Sequence, residues 1–372
     1  MARNPTIAYV FLRNAHFGPR LASSVELCVR DLIGHSRYAS STMVACPRVD
    51  ESFEGIRTEP IPDVGIGGNL GKALAIGRLM RRRNVAVALV ENHLPAAAFI
   101  AATSGLPVIL HSHAYEKAPS GALKRKIRNA ELRAIAGLAF VSEDCANRFR
   151  ANFPAVLAPM CAVPNGLDMT DWSDASAKEK TILCVGRALD DKGHLEAMSA
   201  IARALESRPD WSARMILSAT DREPETMEAL REAAKPFGGR VRIEANRPYA
   251  EVKIAWQKAS VGLVLTKTPE PFGRTALEAL ASGTALITSG LGGLAEVCGP
   301  DALTVDPRNA DEVAAALASL LDSPERRSAL ARAGRARAAA LFDIRIVANR
   351  MDNFIDEVIA RSVDDAAQII AG

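Results

Sequence analysis

Two glutamates, Glu270 and Glu278, bracket a glycine turn in the stretch EPFGRTALEALASGTALITS (270–289). The apolar run ASVGLVLT (259–266) before them reads as a buried strand ending just short of Glu270. Residues 276–281 read as a helix and TALITS (284–289) as the next strand. The helix therefore starts near Gly273 or Arg274, and the amides of Gly273, Arg274 and Thr275 have no partner inside it. An anion is the natural occupant, because the helix dipole favours it as well. Glu278 lies one turn on, about 5 Å down the axis, and helical side chains lean back towards the N-terminus. One carboxylate thus precedes the anion site and the other stands just behind it. Carboxylates only accept hydrogen bonds, which suits vicinal hydroxyls, at about 1.5–3 kcal/mol for each charge-assisted bond. A phosphate with a polyol on either side describes a nucleoside diphosphate sugar. The alternative is a surface helix carrying two solvated acids.

A second segment adds the cations. TILCVGRALDDKGHLEAM (181–198) reads as a strand, a glycine turn and a helix beginning near His194. Arg187 and Lys192 stand in the strand-to-helix loop, where open α/β sheets bind their ligands. Arg by its planar fork and Lys as a point charge would neutralise a diphosphate. The alternative is ordinary loop solvation, with Asp190 and Asp191 pairing locally.

The elements that must carry these loops are short apolar runs alternating with helical patterns. TIAYVFL (6–12), STMVAC (41–46), VAVALV (85–90), PVILH (107–111) and LAFVS (138–142) are the strands of a first series. TILCV (181–185), ARMILSA (213–219), VRIEA (241–245), ASVGLVL (259–265) and TALITS (284–289) form a second. Nearly continuous apolar strands belong to parallel sheets covered on both faces. Two such series parted by the polar stretch DMTDWSDASAKEK (168–180) predict two doubly wound α/β domains with the linker near 168–180 and a ligand cleft between them. PERRSALARAGRARAAALF (324–342) and DIRIVANRMDNFIDEVIA (343–360) read as helices. GIGGNLG (65–71) does not fit Gly-x-Gly-x-x-Gly and reads as a loop opening a helix that ends in MRRRN (80–84).

Taken in order, these segments resemble the retaining glycosyltransferases of the GT-B architecture, in the large family 4, or group 1. GRALDDKG (186–193) is similar to the family's phosphate loop and EPFGRTALE (270–278) to its Glu-x7-Glu motif, followed by EALASG (278–283). GLGGLAEV (290–297) resembles the segment after the next strand, and FVSEDCANRF (140–149) and VPNGLDMTDW (163–172) the end of the N-terminal domain. The matches run from about residue 105 to 297. The resemblance implies two Rossmann-like domains facing a central cleft. Residues 1–170 would bind the acceptor and 171–345 the nucleotide sugar, and a C-terminal helix (346–372) would cross back to the first domain. It implies that Glu270 contacts donor-sugar hydroxyls and that Glu278 holds the ribose. Gly186, Arg187, Lys192 and the amides of Gly273, Arg274 and Thr275 would hold the diphosphate. Counting from Pro107 in PVILHSH, His113 falls where the family places a histidine near the donor sugar; His111, on the same face of the strand, is its rival. The catalytic set is then Glu270, His113, Arg187 and Lys192.

The family's Gly-Gly turn after the first strand is replaced by FLRNAHFGPRLASSVELCV (11–29), with only Gly18 and Pro19, so acceptor recognition is expected to differ. TKTP (266–269) and TDREPE (220–225) also depart from the pattern, which bears on donor contacts rather than on the reaction.

Composition narrows the classes. The chain has 372 residues, 48% hydrophobic and 24% charged, and its net charge of +3 is too small to imply nucleic acid as a partner. The six cysteines are scattered without Cys-x-x-Cys, several of them in apolar runs, which fits a reducing cytoplasm. MARNPTIAYVFL has too short an apolar run for a signal peptide, and no stretch of about 18 apolar residues is present. No Asp-x-Asp, Gly-x-Ser-x-Gly, His-Glu-x-x-His or Walker loop occurs, so no metal site and no cofactor are expected.

The function expected is transfer of a hexose from a UDP-, GDP- or ADP-sugar to a hydroxyl of a glycan or lipid-linked acceptor, with the pathway, bacterial lipopolysaccharide or surface polysaccharide synthesis, resting on analogy. Basic residues concentrate in GALKRKIRNAELRAIAG (121–137), whose apolar members are Leu123, Ile127, Leu132 and Ile135. That helix is either a solvated face packed on the first sheet or a peripheral contact with anionic membrane on its cytoplasmic side. The competing functions are a GT-B nucleotide-sugar epimerase or hydrolase and a catalytically silent nucleotide-sugar-binding subunit.

Overall fold

The computed structural model describes residues 5–12, 15–19, 23–47, 51–61, 68–172, 177–219 and 224–371. Parts of the segments 11–29, 65–71, 168–180 and 220–225 singled out above lie outside the described residues. The chain forms two compact units. One comprises 1–166 with 344–372, the other 167–343.

The first unit is built on strands β1 (Thr6–Val10), β2 (Thr42–Cys46), β3 (Arg57–Pro60), β4 (Val85–Glu91), β5 (Val108–Ser112), β6 (Gly137–Phe140) and β7 (Met160–Ala162). Their order is β3-β2-β1-β4-β5-β6-β7, every pair parallel. The second is built on β8 (Glu179–Arg187), β9 (Ser212–Ser218), β10 (Val241–Ala245), β11 (Ala259–Val264), β12 (Ala285–Thr288) and β13 (Leu303–Thr304). These run β10-β9-β8-β11-β12-β13, again all parallel. The expected two doubly wound α/β sheets are therefore present. β3, β7 and β13 were not expected from the sequence. Each lies at a sheet edge, is short and only partly buried, and so lacks the continuous apolar run that marks a central strand.

Strand order reverses where β1 meets β4 in one sheet and where β8 meets β11 in the other. At such points the connections diverge to opposite faces and leave a crevice beyond the strand ends. Arg187, expected in a loop, is the last residue of β8, and the loops carrying Lys192 and Glu270 follow β8 and β11, on either side of the second of these reversals.

The chain passes from the first unit to the second between Gly166 and Leu167, ahead of the polar stretch 168–180, and returns between Asp343 and Ile344. There the helix Pro324–Phe342 ends and the helix Ile344–Ala371 begins. Ile344, Val347, Ala348, Met351, Ile355 and Val358, at helical spacing, are buried in the core of the first unit. Buried Asp352 adds polar anchors, accepting from Ser36 Oγ at 2.6 Å and from the Arg37 amide at 2.8 Å.

All six cysteines are free thiols, five of them buried. The helix Gly68–Arg82 begins inside the glycine cluster, so Gly68 and Gly71 are helical rather than loop residues. In the basic helix Ala122–Arg133 the expected inward face is only half realised. Leu132 is buried, and Ile135 beyond it, whereas Leu123 and Ile127 are 72% and 52% exposed. Among the described residues no helix is long and apolar enough to cross a membrane.

Candidate functional site

β8 delivers Gly186 and Arg187 to the C-terminal end of the sheet. A single turn of 3-10 helix, Asp190–Lys192, follows, and Gly193 then opens the helix His194–Glu206. Gly193 has φ +66°, and a Cβ there would meet the Leu265 carbonyl oxygen at 1.8 Å, so only glycine fits between the two loops. Buried His194 folds back and donates from Nε2 to the Arg187 carbonyl at 2.8 Å. Burial holds this imidazole below its ordinary pKa although that bond opposes the shift, so it serves as a neutral tie for the loop.

The loop after β11 is stitched to the first. Lys267 N donates to Asp191 O at 2.7 Å, and Lys267 Nζ reaches Asp190 at 2.8 Å and Glu196 at 3.0 Å. Of the local pairing that the alternative reading gave the two aspartates, half is present: Asp191 lies 3.8 Å from Lys192, whereas Asp190 pairs with Lys267 in the other loop. Glu270 is set by its backbone, which forms a parallel bridge with Gly292, donating to Leu291 O at 3.1 Å and accepting from Gly293 N at 2.7 Å. The GLGG turn after β12 is the support for this carboxylate. Lys192 Nζ is in ion-pair contact with Glu270 Oε1. Arg187 is exposed, and its guanidinium makes no hydrogen bond or ion pair among the described residues.

The helix expected after Gly273 is Arg274–Ala281, with Gly273 as N-cap at φ +103°. A Cβ on Gly273 would meet Leu294 Cδ2 at 2.3 Å. Leu277 N makes the first i→i−4 bond, to Gly273 O at 3.2 Å, so the amides of Gly273, Arg274 and Thr275 precede the helical ladder. Glu278 is buried, and its Oε1 accepts from Tyr249 Oη at 2.9 Å and Arg274 Nε at 3.1 Å. Burial raises its carboxyl above the usual range, with Arg274 and the Tyr249 hydroxyl opposing. Burial first and then the Glu278 charge push the Tyr249 phenol up.

The structure therefore gathers Lys192, Glu270 and Asp191 into one cluster and Glu278, Arg274 and Tyr249 into a second. Tyr249 is the first residue of the helix that follows β10.

His113 lies in the first unit, just past β5. Its Nε2 is 3.0 Å from Glu91 Oε2, and the Nδ1 of His111 is 3.1 Å from Glu91 Oε1. Asn92, at the left-handed φ of +55°, donates its amide to His111 O at 2.9 Å and accepts the His113 amide on Oδ1 at 2.6 Å. Both histidines named from the sequence thus share one carboxylate. Glu91 and Asn92 were missed, although Glu91 is the first acid after the apolar run of β4, at the end of the sheet where ligands bind. Glu91, His111 and His113 also offer three ligand atoms within 4.8 Å of one another, a donor set that would suit a divalent ion such as zinc.

Residues 170–337 match the family model of glycosyl transferases group 1. The chain is 28% identical over 364 residues to a glycogen synthase of Mycobacterium tuberculosis, covering 88% of this chain and 87% of that protein. It is similar in fold to a glycosyltransferase of Rickettsia africae, with TM-score 0.78 and 15% identity over 96% of this chain and 99% of that one. It is also similar to Anabaena Alr3699/HepE, solved in complex with UDP and glucose, with TM-score 0.74 and 16% identity over 94% of this chain and 99% of that one. A glycine-capped helix that follows a Lys–Glu pair, at the strand-order reversal of a parallel sheet, agrees with these matches: the chain has the fold of these two solved proteins, and its residues 170–337 match the group 1 glycosyl transferases.

Proposed function

We propose that this chain moves a hexose from a nucleoside diphosphate sugar to a hydroxyl of a glycan or lipid-linked acceptor, with the anomeric configuration retained and no metal ion taking part. The contact between Lys192 and Glu270 carries the reading. It puts the cation of one loop beside the carboxylate of the other, ahead of a helix N-terminus suited to a phosphate. A carboxylate in that position suits binding of sugar hydroxyls better than glycoside hydrolysis, where two carboxyl groups flank the scissile bond.

In this reading the second unit takes the donor and the first takes the acceptor. Arg187, Lys192 and the amides at Gly186 and Gly273–Thr275 hold the diphosphate. Glu270 holds hexose hydroxyls and Glu278 the ribose, and His113 has the donor-sugar contact the family resemblance gives it. The bond from the anomeric carbon to the phosphate oxygen breaks through an oxocarbenium-like state. The acceptor oxygen bonds to that carbon from the same face, and its proton passes to the departing diphosphate. Arg187, Lys192 and the helix amides stabilise the charge that develops there. The pathway carried with this reading, by analogy, is bacterial lipopolysaccharide or surface polysaccharide synthesis at the inner face of the cytoplasmic membrane. Its structural support is the exposed pair Leu123 and Ile127 among Lys124, Arg125 and Lys126.

Thermal-shift screening against UDP-, GDP- and ADP-sugars tests the donor, because ligand bound to the folded state raises its melting temperature. Proton NMR of the product, with EDTA present, then reads the anomeric configuration. Epimerised or hydrolysed donor without a glycosylated acceptor would replace transferase with the epimerase or hydrolase reading. Donor left intact with every acceptor would favour the silent binding subunit.

A further inference from the structure

We infer that Glu91 is a positioning residue that locks His113 as its Nε2–H tautomer, so that His113 presents a bare Nδ1 lone pair, an acceptor for a hydroxyl proton. The inference rests on the proposed function only where it assigns that hydroxyl to the donor sugar.

Glu91 and His111 are register partners on the adjacent parallel strands β4 and β5, so their side chains share a face. His113, two residues on, returns to that face. The Glu91 side chain is 2% exposed, and each of its oxygens meets one imidazole nitrogen: Oε1 with His111 Nδ1 and Oε2 with His113 Nε2. An ionised carboxylate can only accept, so both contacting nitrogens must carry the proton. In its neutral form the His113 ring therefore carries its one proton at Nε2, the nitrogen that meets the carboxylate. A neutral imidazole protonated at Nε2 has a lone pair at Nδ1. That atom has no hydrogen-bond partner among the described residues.

His111 is the second arm of the clamp. With Nδ1 spent on Glu91, its Nε2 is buried without a partner among the described residues. Were Glu91 fixed by His113 alone, its other oxygen would be the buried orphan and the carboxylate could rotate away. Asn92 completes the arrangement by gripping the chain on both sides of Ser112, through its own amide and its side-chain oxygen. Its left-handed backbone is the kind of local strain that persists where the surroundings over-determine it.

The test is imidazole ¹⁵N NMR on the full-length, ligand-free chain with labelled histidine, treated with chelator. The expected pattern is Nε2–H for His113 and Nδ1–H for His111. In Glu91→Gln the side chain keeps one acceptor and gains a donor, so one of the two rings must change tautomer. The kinetic counterpart is a fall in kcat of about 10²-fold, the scale of a misplaced reacting contact, with donor KM little changed. Because Glu91 acts through His113, Glu91→Gln added to His113→Ala should cost nothing further.

An Nδ1–H or doubly protonated His113 in the wild type at neutral pH overturns the inference, even if Glu91→Gln fails to fold. Stoichiometric zinc retained before chelation overturns it too, because the histidines would then be held by metal. So does a full additional loss in the double variant. The tautomer is read without substrate, so absence of sugar transfer would refute the proposed function and leave this assignment to the spectra.

Discussion

Lys192→Ala is the substitution that weighs most on the site. The ammonium meets Glu270 and lies 3.8 Å from Asp191, with only 16% of its side chain exposed. If it grips a diphosphate, its removal deletes one charge-assisted hydrogen bond, about 1.5–3 kcal/mol, or a rise of about 10- to 150-fold in Kd for the nucleoside diphosphate. Breaking the anomeric bond puts further charge on the same oxygens, and losing one donor from a preorganised site costs about 10²–10³ in kcat. A simpler role is also testable. Lys192 could serve only to neutralise Glu270, whose side chain is 21% exposed and which would be left without its cation at a cost of about 1–3 kcal/mol in stability. Lys192→Ala/Glu270→Gln separates the two. Both roles predict recovery of stability, seen as melting temperature by circular dichroism. Only the neutralising role predicts recovery of nucleotide affinity, measured by calorimetry with whichever of UDP, GDP or ADP the wild type binds best. Nucleotide affinity within twofold of wild type in Lys192→Ala alone would refute the reasoning about the anion site.

Other outcomes follow from single features. Gly273→Ala should lower stability by about 2–5 kcal/mol, combining a left-handed penalty of about 1–2 with crowding of about 1–3, because the Leu294 methyl it meets is itself fully buried; a urea midpoint checks it. Glu278 titrates above the ordinary glutamate value, so between the two values the native state keeps a proton the unfolded chain has released. Its contribution to stability therefore falls as pH rises through that window, and Glu278→Gln should flatten that part of a stability-against-pH curve. Leu123→Ser with Ile127→Ser should change stability by less than about 1 kcal/mol, since both side chains are exposed. The same pair should weaken flotation with phosphatidylserine vesicles, and unchanged flotation would remove the membrane part of the proposal.

The central strands were legible because burial on both faces demands continuous apolar runs, and VAVALV and TILCV have them. The glycine turns at Gly193 and Gly273 were legible for a local reason too. Strand, turn and helix onset follow one another within a few residues, so each helix N-terminus could be placed to within a residue. The edge strands β3, β7 and β13 were not, since an edge needs little apolar surface. The inward burial predicted for Leu123 and Ile127 failed for a related reason: helical spacing shows that a stripe exists, and only packing decides how much of it is covered.

The amino-acid order alone determined the fold class, the two sheet series, and the strand-to-helix segments in which Arg187, Lys192, Glu270 and Glu278 stand, because these depend on contacts short in sequence. Tertiary structure decided which charges meet. Lys192 pairs with Glu270, Asp190 turns to Lys267, Arg274 and Tyr249 converge on Glu278, and Glu91 is clamped between His111 and His113. Most of these partners lie about 20 to 80 residues apart, on neighbouring strands or the loops that follow them. They come together only when the order of strands in a sheet is settled, and no local pattern of residues encodes that order.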